Sequence, residues 1–253
     1  MKALITGASS GIGKSLAFEL ASRGYDLILV ARDKAKLEEL QNTLKVDVQI
    51  IIADLSDIKN VKEVYVLTKN EDIDILINNA GFGLFGKFYE TDLNRELEMI
   101  NTNVLAVHLL TKLFLRDMQK KNKGYIMNVA SLAAFGPGPL MATYYSTKAY
   151  VNNLSEAINE ELRREKSDVF VCSLCPGPVD TNFNDVANVK FSIKPLSSEE
   201  VARYAISEMF KKKVVIVPGL WMKMSLFFRR FASRKLIRKI TYNIQRSKSS
   251  SNE

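Results

Sequence analysis

The sequence predicts an α/β protein built on one doubly wound parallel sheet. Short apolar segments recur along the 253-residue chain, and most of them alternate with segments of helical periodicity. Strands that are apolar on both faces are typical of parallel sheets covered by helices on both sides. A glycine-rich turn after the first strand and the right-handed crossover rule favour the doubly wound arrangement. The hydrophobic content of 47% suits one large domain with a full core.

The predicted elements follow from periodicity and turn residues. Continuous apolar runs predict strands at residues 3–6, 26–31, 47–53, 73–77, 125–130, 169–174 and 214–217. Apolar residues spaced three and four apart predict helices at residues 12–23, 34–44, 94–121 and 142–165. Gly24 is a stop signal for the first of these helices.

The net charge of +8 is concentrated at the C-terminal end. Residues 219–253 contain nine Lys or Arg and one acidic residue, so the rest of the chain is neutral. We therefore expect no nucleic-acid binding by the protein as a whole. The charge pattern divides the chain into a predicted catalytic domain at 1–218 and a basic extension at 219–253.

Composition argues against a metal centre and a membrane span. The chain has one histidine, and Cys172 and Cys175 lie three apart in an apolar run, so we interpret the cysteines as buried structural residues in a reducing compartment. No apolar run reaches the roughly 18 residues of a membrane helix. Because a strand begins directly after Lys2, we expect no signal peptide and a cytoplasmic protein.

The glycine-rich turn is the candidate cofactor site. Gly7, Gly11 and Gly13 lie between the first strand and helix, where the backbone must turn tightly and approach a phosphate closely. The following helix offers free N–H groups and its positive dipole end to a pyrophosphate. We expect the hydroxyls of Ser9 and Ser10 to add donors.

The end of the second strand indicates which dinucleotide binds. In NAD-binding proteins an acidic residue there contacts the ribose 2′-hydroxyl, but this strand ends in Ala31 and Arg32. A guanidinium group can pair with a 2′-phosphate through its planar fork. We therefore predict NADP(H). The alternative is that Arg32 is a solvated surface charge and that Asp33 is the ribose ligand.

Tyr144 and Lys148 are the candidate proton-transfer pair. They are four apart and hence neighbours on one helix face. A nearby ammonium group is expected to lower the pKa of a phenol by roughly 1–3 units, towards the pH at which proton transfer is efficient. Ser131 follows a predicted strand, and its hydroxyl can bind a substrate oxygen as charge develops. Tyr145 competes with Tyr144 for the catalytic role.

Together these motifs resemble the short-chain dehydrogenase/reductase family over residues 1–218. The resemblance rests on the Gly-x-x-x-Gly-x-Gly spacing after Thr6, on Asn78-Asn79-Ala80-Gly81, on Asn103, on the Ser131, Tyr144 and Lys148 set, and on Pro176-Gly177-Pro178-Val179 with Thr181. It implies a Rossmann fold and a homodimer or homotetramer. The full set of expected cofactor contacts is Gly7, Ser9, Ser10, Gly11, Ile12, Gly13, Arg32, Asp54, Leu55, Asn78, Ala80, Gly81, Tyr144, Lys148, Pro176, Gly177, Val179 and Thr181.

The resemblance also implies specific roles. Asp54 and Leu55 would contact the adenine, Asn78 and the Ala80-Gly81 pair the nicotinamide ribose, and residues 176–181 the nicotinamide amide. Asn103 would be a fourth catalytic residue that holds a water between Lys148 and solvent, with Asn101 as the alternative. In the implied reduction, hydride passes from NADPH to a ketone carbon while Ser131 steadies the oxygen and Tyr144 donates the proton.

Three segments are the candidate substrate site. Residues 82–88, 133–140 and 183–196 carry few charges, which favours an apolar ketone or acyl group. Their apolar members are Phe82, Leu84, Phe85, Phe135, Leu140, Phe183, Val186 and Val189.

The residue pattern of the extension predicts an amphipathic helix over residues 220–244. Apolar residues, Trp221 among them, recur there at roughly helical spacing with Lys and Arg between them. Such a helix can lie on an anionic membrane surface, cover the substrate cleft or pack on a second subunit.

Three functions fit the sequence to different degrees. The leading hypothesis is an NADPH-dependent reductase of an apolar or lipid-like ketone. A non-catalytic NADP-binding sensor or scaffold at a membrane surface is the alternative, although such a protein would not need all four catalytic residues. A nucleotide-sugar epimerase is disfavoured by the glycine spacing and by the lack of a sizeable C-terminal substrate domain.

Overall fold

A computed structural model describes residues 1–180 and 195–246. Its strands pair in parallel in the order β3-β2-β1-β4-β5-β6-β7. Their bounds are β1 Lys2–Thr6, β2 Asp26–Ala31, β3 Val48–Ile52, β4 Ile73–Asn78, β5 Tyr125–Val129, β6 Phe170–Leu174 and β7 Val215–Ile216. Strand order reverses between β1 and β4, which confirms the doubly wound parallel sheet that the sequence predicts.

Helices cover both faces of this sheet. Their bounds are α1 Gly11–Ser22, α2 Lys34–Thr43, α3 Ile58–Thr68, α4 Leu93–Ile100, α5 Val107–Lys121, α6 Ala142–Arg164, α7 Ser198–Phe210, α8 Leu220–Arg229 and α9 Arg234–Arg246. Successive strand residues face opposite sides, so Ile5 of β1 packs in one core with α1, α2 and α7, and Leu4 packs in the other with α3 and α5.

The sequence prediction does not include α3 and α7, although both have readable start signals. The Asp57 carboxylate accepts a hydrogen bond from the Lys59 N–H at the start of α3. Ser197 and Glu200 form a capping box at the start of α7. Because a Ser-x-x-Glu spacing marks a helix N-terminus, α7 was within reach of sequence reasoning.

The helix predicted at residues 94–121 contains a local distortion. The α-helical parts α4 and α5 are joined by a π-helical segment, Asn101–Ala106. Single π turns occur often at functional sites because they alter the direction of side chains and free backbone groups. Asn103 lies in this segment.

The predicted single helix of the extension is two helices. The helical path is interrupted after α8. The Ser233 hydroxyl accepts a hydrogen bond from the Leu236 N–H where α9 begins. Within residues 1–180 and 195–246, no helix is long and apolar enough to cross a membrane.

Candidate active site

A cavity of about 770 Å³ lies at the carboxyl edge of the sheet, beside the reversal point between β1 and β4. Most of the expected cofactor residues line it, namely Gly7, Ser9, Ser10, Gly11, Ile12, Arg32, Asp54, Leu55, Ala80, Gly81, Tyr144, Lys148, Pro176, Gly177 and Val179. Ser131 lines it as well. Thr181 lies outside the described residues.

The glycine loop after β1 is fixed to the loop after β4. Gly7 and Gly11 adopt φ values of +65° and +51°, which glycine tolerates best. The Asn79 amide donates to the carbonyls of Thr6 and Gly7, each at 3.0 Å. A Cβ at Gly13 would lie 2.2 Å from the Gly7 carbonyl oxygen, so this glycine lets α1 approach the loop but does not itself line the cavity.

Asn78 is not brought to the cavity. Its buried side chain donates to Thr111 Oγ1 at 3.0 Å and to Asn128 Oδ1 at 2.8 Å, which ties β4 to α5 and β5. Asn79 lines the cavity instead. Side chains alternate along a strand, so the last residue of β4 and its successor face different surroundings.

The cavity end next to β2 carries two ion pairs, Arg32 with Asp54 and Lys36 with Asp33. The Arg32 side chain is 70% exposed, and its Nη1 lies 3.7 Å from Asp54 Oδ2. Asp33 caps α2 by accepting from the Lys36 N–H at 3.1 Å, and its carboxylate also pairs with the Lys36 ammonium at 3.1 Å. These hydrogen bonds hold the pKa of Asp33 below its usual value. Lys36 also lines the cavity, and the sequence prediction missed it.

Helix α6 places Tyr144 and Lys148 on the wall of the cavity. The Lys148 Nζ lies 5.9 Å from the centre of the Tyr144 ring and donates to the Val129 carbonyl at 2.8 Å. Ser131, directly after β5, hydrogen-bonds to Tyr144. Its hydroxyl also accepts from the Ala133 N–H at 3.1 Å, which orients it. The structure thus brings Ser131, Tyr144 and Lys148 together.

Burial dominates the protonation of this pair. It raises the pKa of Tyr144 to about 12, and the hydrogen bond with Ser131 offsets only part of this rise. Burial also lowers the pKa of Lys148 to about 8. The prediction that Lys148 lowers the Tyr144 pKa is therefore wrong for this structure, because desolvation of the phenolate outweighs the other effects. At neutral pH Tyr144 is a phenol that can donate a proton.

Asn103 is buried, and it is connected to the cavity through its hydrogen bonds with Phe82, which lines the cavity. Its Nδ2 donates to the Phe82 carbonyl at 2.9 Å and to Thr147 Oγ1 at 3.1 Å, and its Oδ1 accepts from the Phe82 N–H at 3.1 Å. A Cβ at Gly81 would lie 2.8 Å from Asn103 Oδ1. Asn101 instead donates to the Ser56 carbonyl. Of the two candidates, Asn103 is the one joined to the helix of Tyr144.

Tyr145 is hydrogen-bonded to the C-terminal extension. Its ring centre lies 6.2 Å from that of Tyr144, and its hydroxyl accepts from the Gln245 amide at 2.6 Å. Of these two tyrosines, Tyr144 is the one that has a hydrogen-bond interaction with Ser131.

The far end of the cavity is apolar and is partly closed by the extension. Met99, Ala133, Met141 and Tyr144 form a buried cluster against Phe82, Leu84 and Phe85. Met222, Ser225, Ile244 and Gln245 also line the cavity, so α8 and α9 cover part of it. Covering the substrate cleft is one of the three roles that the amphipathic pattern of residues 220–244 allows, although no local signal singles out these four residues. Phe183, Val186 and Val189 lie outside the described residues.

The described residues contain no cluster of three His, Cys, Asp or Glu side chains that could hold a metal ion. Both cysteines are buried and free. Burial raises the pKa of Cys175 to about 12, so its thiol is protonated at neutral pH.

Comparisons with known proteins agree with this architecture. A family model described as short chain dehydrogenase matches residues 1–190. The NADP-dependent 3-hydroxy acid dehydrogenase of Schizosaccharomyces pombe is 35% identical over 233 residues, which are 85% of this chain and 88% of that protein. A human protein named inactive hydroxysteroid dehydrogenase-like protein 1 is 34% identical over 196 residues, which are 74% of this chain and 58% of that protein.

A solved structure has the same fold. The short-chain dehydrogenase from Sphingobium yanoikuyae, in complex with NADPH, aligns with a TM-score of 0.81 and 30% identity over 91% of this chain and 94% of that chain. The matched family model covers most of the chain, and the cavity lies where doubly wound folds bind dinucleotides. This chain belongs to the short chain dehydrogenase family.

Proposed function

We propose that this protein is an NADP(H)-dependent oxidoreductase that reduces a ketone of an apolar substrate to an alcohol, or catalyses the reverse reaction. The observation that carries the proposal is that Ser131, Tyr144 and Lys148 line the same cavity as a glycine loop at a helix N-terminus. That arrangement joins a site for a pyrophosphate to a proton donor. The apolar cluster around Met99 and Met141 supports an apolar substrate body.

The cavity residues fit a bound dinucleotide. Gly7 and Gly11 line the cavity beside the start of α1, whose N–H groups can bind phosphates. Lys36 and Arg32 supply positive charge at the ribose end, where a 2′-phosphate would add negative charge. Asp33 is occupied in capping α2, which favours NADP(H) over NAD(H).

The cofactor supplies the hydride when it is bound. The chain contributes the remaining groups: the Ser131 hydroxyl holds the substrate oxygen, and the Tyr144 phenol donates its proton as that oxygen gains negative charge. Burial keeps Tyr144 protonated at neutral pH, which suits the direction of reduction. Lys148, with its pKa of about 8, is close enough to neutral pH to exchange a proton with its surroundings. The hydrogen bonds of Asn103 connect the Phe82 loop to α6.

The test is NADPH oxidation against a panel of aryl ketones, steroid ketones and keto acids, with the Tyr144→Phe variant alongside. We expect turnover with at least one ketone, a loss of at least about a hundredfold in the variant, and nearly unchanged NADPH binding, because the hydroxyl acts only in proton transfer. Full turnover by the variant would overturn the assignment. NADPH binding by the wild type without turnover of any ketone would support the non-catalytic alternative.

We also propose that residues 219–246 act as an extension of the catalytic domain that contacts an anionic membrane surface. The segment contains no acidic residue, and α8 and the turn after it expose Trp221, Phe227, Phe228 and Phe231. On α9, Leu236 and Ile240 are exposed and lie four residues apart on one side of the helix. Apolar faces bordered by Lys and Arg favour the interface of anionic lipid.

A further inference from the structure

Two side chains of the extension, Gln245 and Arg229, have buried polar atoms without a hydrogen-bond partner among the residues that the structure describes. Gln245, on α9, is 2% exposed and lines the cavity. Its Nε2 donates to the Tyr145 hydroxyl at 2.6 Å, whereas its Oε1 is buried and has no hydrogen-bond partner in the part of the chain that the structure describes. A buried amide oxygen without a partner costs about 1–3 kcal/mol, so this group is suited to bind something that enters the cavity.

The two orientations of the Gln245 amide leave different groups free, but each leaves a hydrogen-bond donor. As placed, Gln245 donates to Tyr145, and the Tyr145 hydroxyl proton is left to donate elsewhere. If the amide is turned, Tyr145 donates to the Gln245 oxygen and the amide N–H groups are left over. In both cases a donor remains at the cavity wall. Because the turned amide pairs the Gln245 oxygen with the Tyr145 hydroxyl and leaves only N–H groups, the ligand group that matches this orientation is an oxygen acceptor.

Arg229 adds a positive charge beside this pair. Its Nε and Nη2 are buried and, within residues 1–180 and 195–246, have no hydrogen-bond partner. The guanidinium lies against Gly136, where a Cβ would be 1.9 Å from Nη2. Its charge acts on Tyr145 and partly offsets the rise that burial causes in the Tyr145 pKa. A partly buried cation that has no ion pair among the described residues is costly to desolvate, which favours an anionic ligand nearby.

We propose that Tyr145, Gln245 and Arg229 recognise a carboxylate on the substrate, at the end remote from the ketone that Tyr144 reduces. This inference rests on the proposed function and narrows its substrate to keto acids with an apolar body. The ring of Tyr145 adjoins that of Tyr144, so the two polar ends of one substrate would lie on the same wall of the cavity. Between them, the cluster around Met99 and Met141 would contact the carbon chain.

The first experiment compares straight-chain keto acids, in which the ketone is moved stepwise away from the carboxylate, with their methyl esters, using the full-length protein. We expect one acid to have a KM at least about tenfold below that of its ester, the size of one charge-assisted hydrogen bond. Gln245→Leu and Arg229→Met should each raise the KM of the acid at least about fivefold more than that of the ester. Arg230→Met, a neighbouring exposed arginine, should leave the ratio unchanged.

A binding measurement separates this inference from the proposed function. The Tyr144→Phe variant loaded with NADPH should bind the preferred acid, detected as a change in NADPH fluorescence, and adding Gln245→Leu should weaken that binding at least about fivefold. Acid binding without turnover by the wild type would keep the carboxylate site and overturn the reductase proposal. Equal affinity for acid and ester in the wild type, or equal effects of Gln245→Leu and Arg230→Met, would overturn the carboxylate site.

Discussion

Asn103 and Thr147 are joined by a hydrogen bond of 3.1 Å between Asn103 Nδ2 and Thr147 Oγ1. The Thr147 hydroxyl donates in turn to the Tyr144 carbonyl at 2.7 Å, and Asn103 holds both backbone groups of Phe82. One buried chain of hydrogen bonds thus links the loop after β4, the π-helical segment and the helix that carries Tyr144 and Lys148. A change at its centre is expected to affect both loop and helix.

Thr147→Val is expected to lower the free energy of unfolding by about 1–3 kcal/mol, because the near-isosteric valine leaves an Asn103 N–H buried without a partner. Urea denaturation followed by circular dichroism measures the change. Ser146→Ala is the matched control, since Ser146 is exposed and bonds only to the carbonyl one turn before it. Equal stability of the two variants would contradict a structural role for the Asn103–Thr147 bond.

Lys148→Met is expected to raise the free energy of unfolding near neutral pH. This gain over the wild type should disappear as the pH rises. Burial lowers the pKa of Lys148 from 10.5 to about 8, so between these values the unfolded chain binds more protons than the folded one, and folding becomes more favourable with rising pH. Relative to the variant, the wild type should gain about 1 kcal/mol per pH unit between pH 8 and 10.

The measurement is the unfolding free energy of both proteins at pH 7.5, 8.5 and 9.5. Lys34→Met serves as the control, because that lysine is exposed and its substitution should shift all three values equally. Above about pH 10 the buried Tyr144 lowers the unfolding free energy of both proteins as pH rises, since its pKa of about 12 lies above that of an unfolded tyrosine. A constant difference between wild type and Lys148→Met across the range would show that Lys148 is not desolvated.

Arg32→Ala is expected to raise the Kd for NADPH about tenfold to a hundredfold and to leave the Kd for NADH within about twofold. A charge-assisted hydrogen bond to a 2′-phosphate contributes about 1.5–3 kcal/mol, and NADH has no such phosphate. Fluorescence titration of both cofactors gives the two constants. Lys34→Ala removes an exposed charge two residues away that does not line the cavity, and it should leave the ratio unchanged. Equal losses for both cofactors would refute NADP selection by Arg32.

Local signals account for the parts of this molecule that sequence reasoning anticipated. The glycine turn, the continuous apolar strands and the four-residue spacing of Tyr144 and Lys148 are all set within short stretches, and they led to the fold and the family. The same reasoning could not find Gln245 at the cavity, because a position one hundred residues from Tyr145 is reached only through tertiary packing. Nor could it foresee the raised Tyr144 pKa, since desolvation depends on everything that surrounds the phenol.

Replacing the four exposed basic residues Arg234, Lys235, Arg238 and Lys239 with Gln is expected to abolish binding to vesicles that contain anionic lipid. Each basic residue near such a surface contributes about 1 kcal/mol, so the combined change should weaken binding more than a hundredfold. Co-sedimentation with phosphatidylglycerol–phosphatidylcholine vesicles measures this binding, and binding of the wild type should fall as the salt concentration rises.

The control variant removes four positive charges from another part of the surface, at Lys59, Lys62, Lys69 and Lys166. Trp221→Ala with Phe228→Ala should weaken binding without changing its salt dependence. Equal sedimentation of wild type and the Gln variant would contradict binding to anionic lipid through these charges. A wild-type mass of two chains that the Trp221 and Phe228 changes reduce to one would assign the apolar face to a second copy of the chain instead.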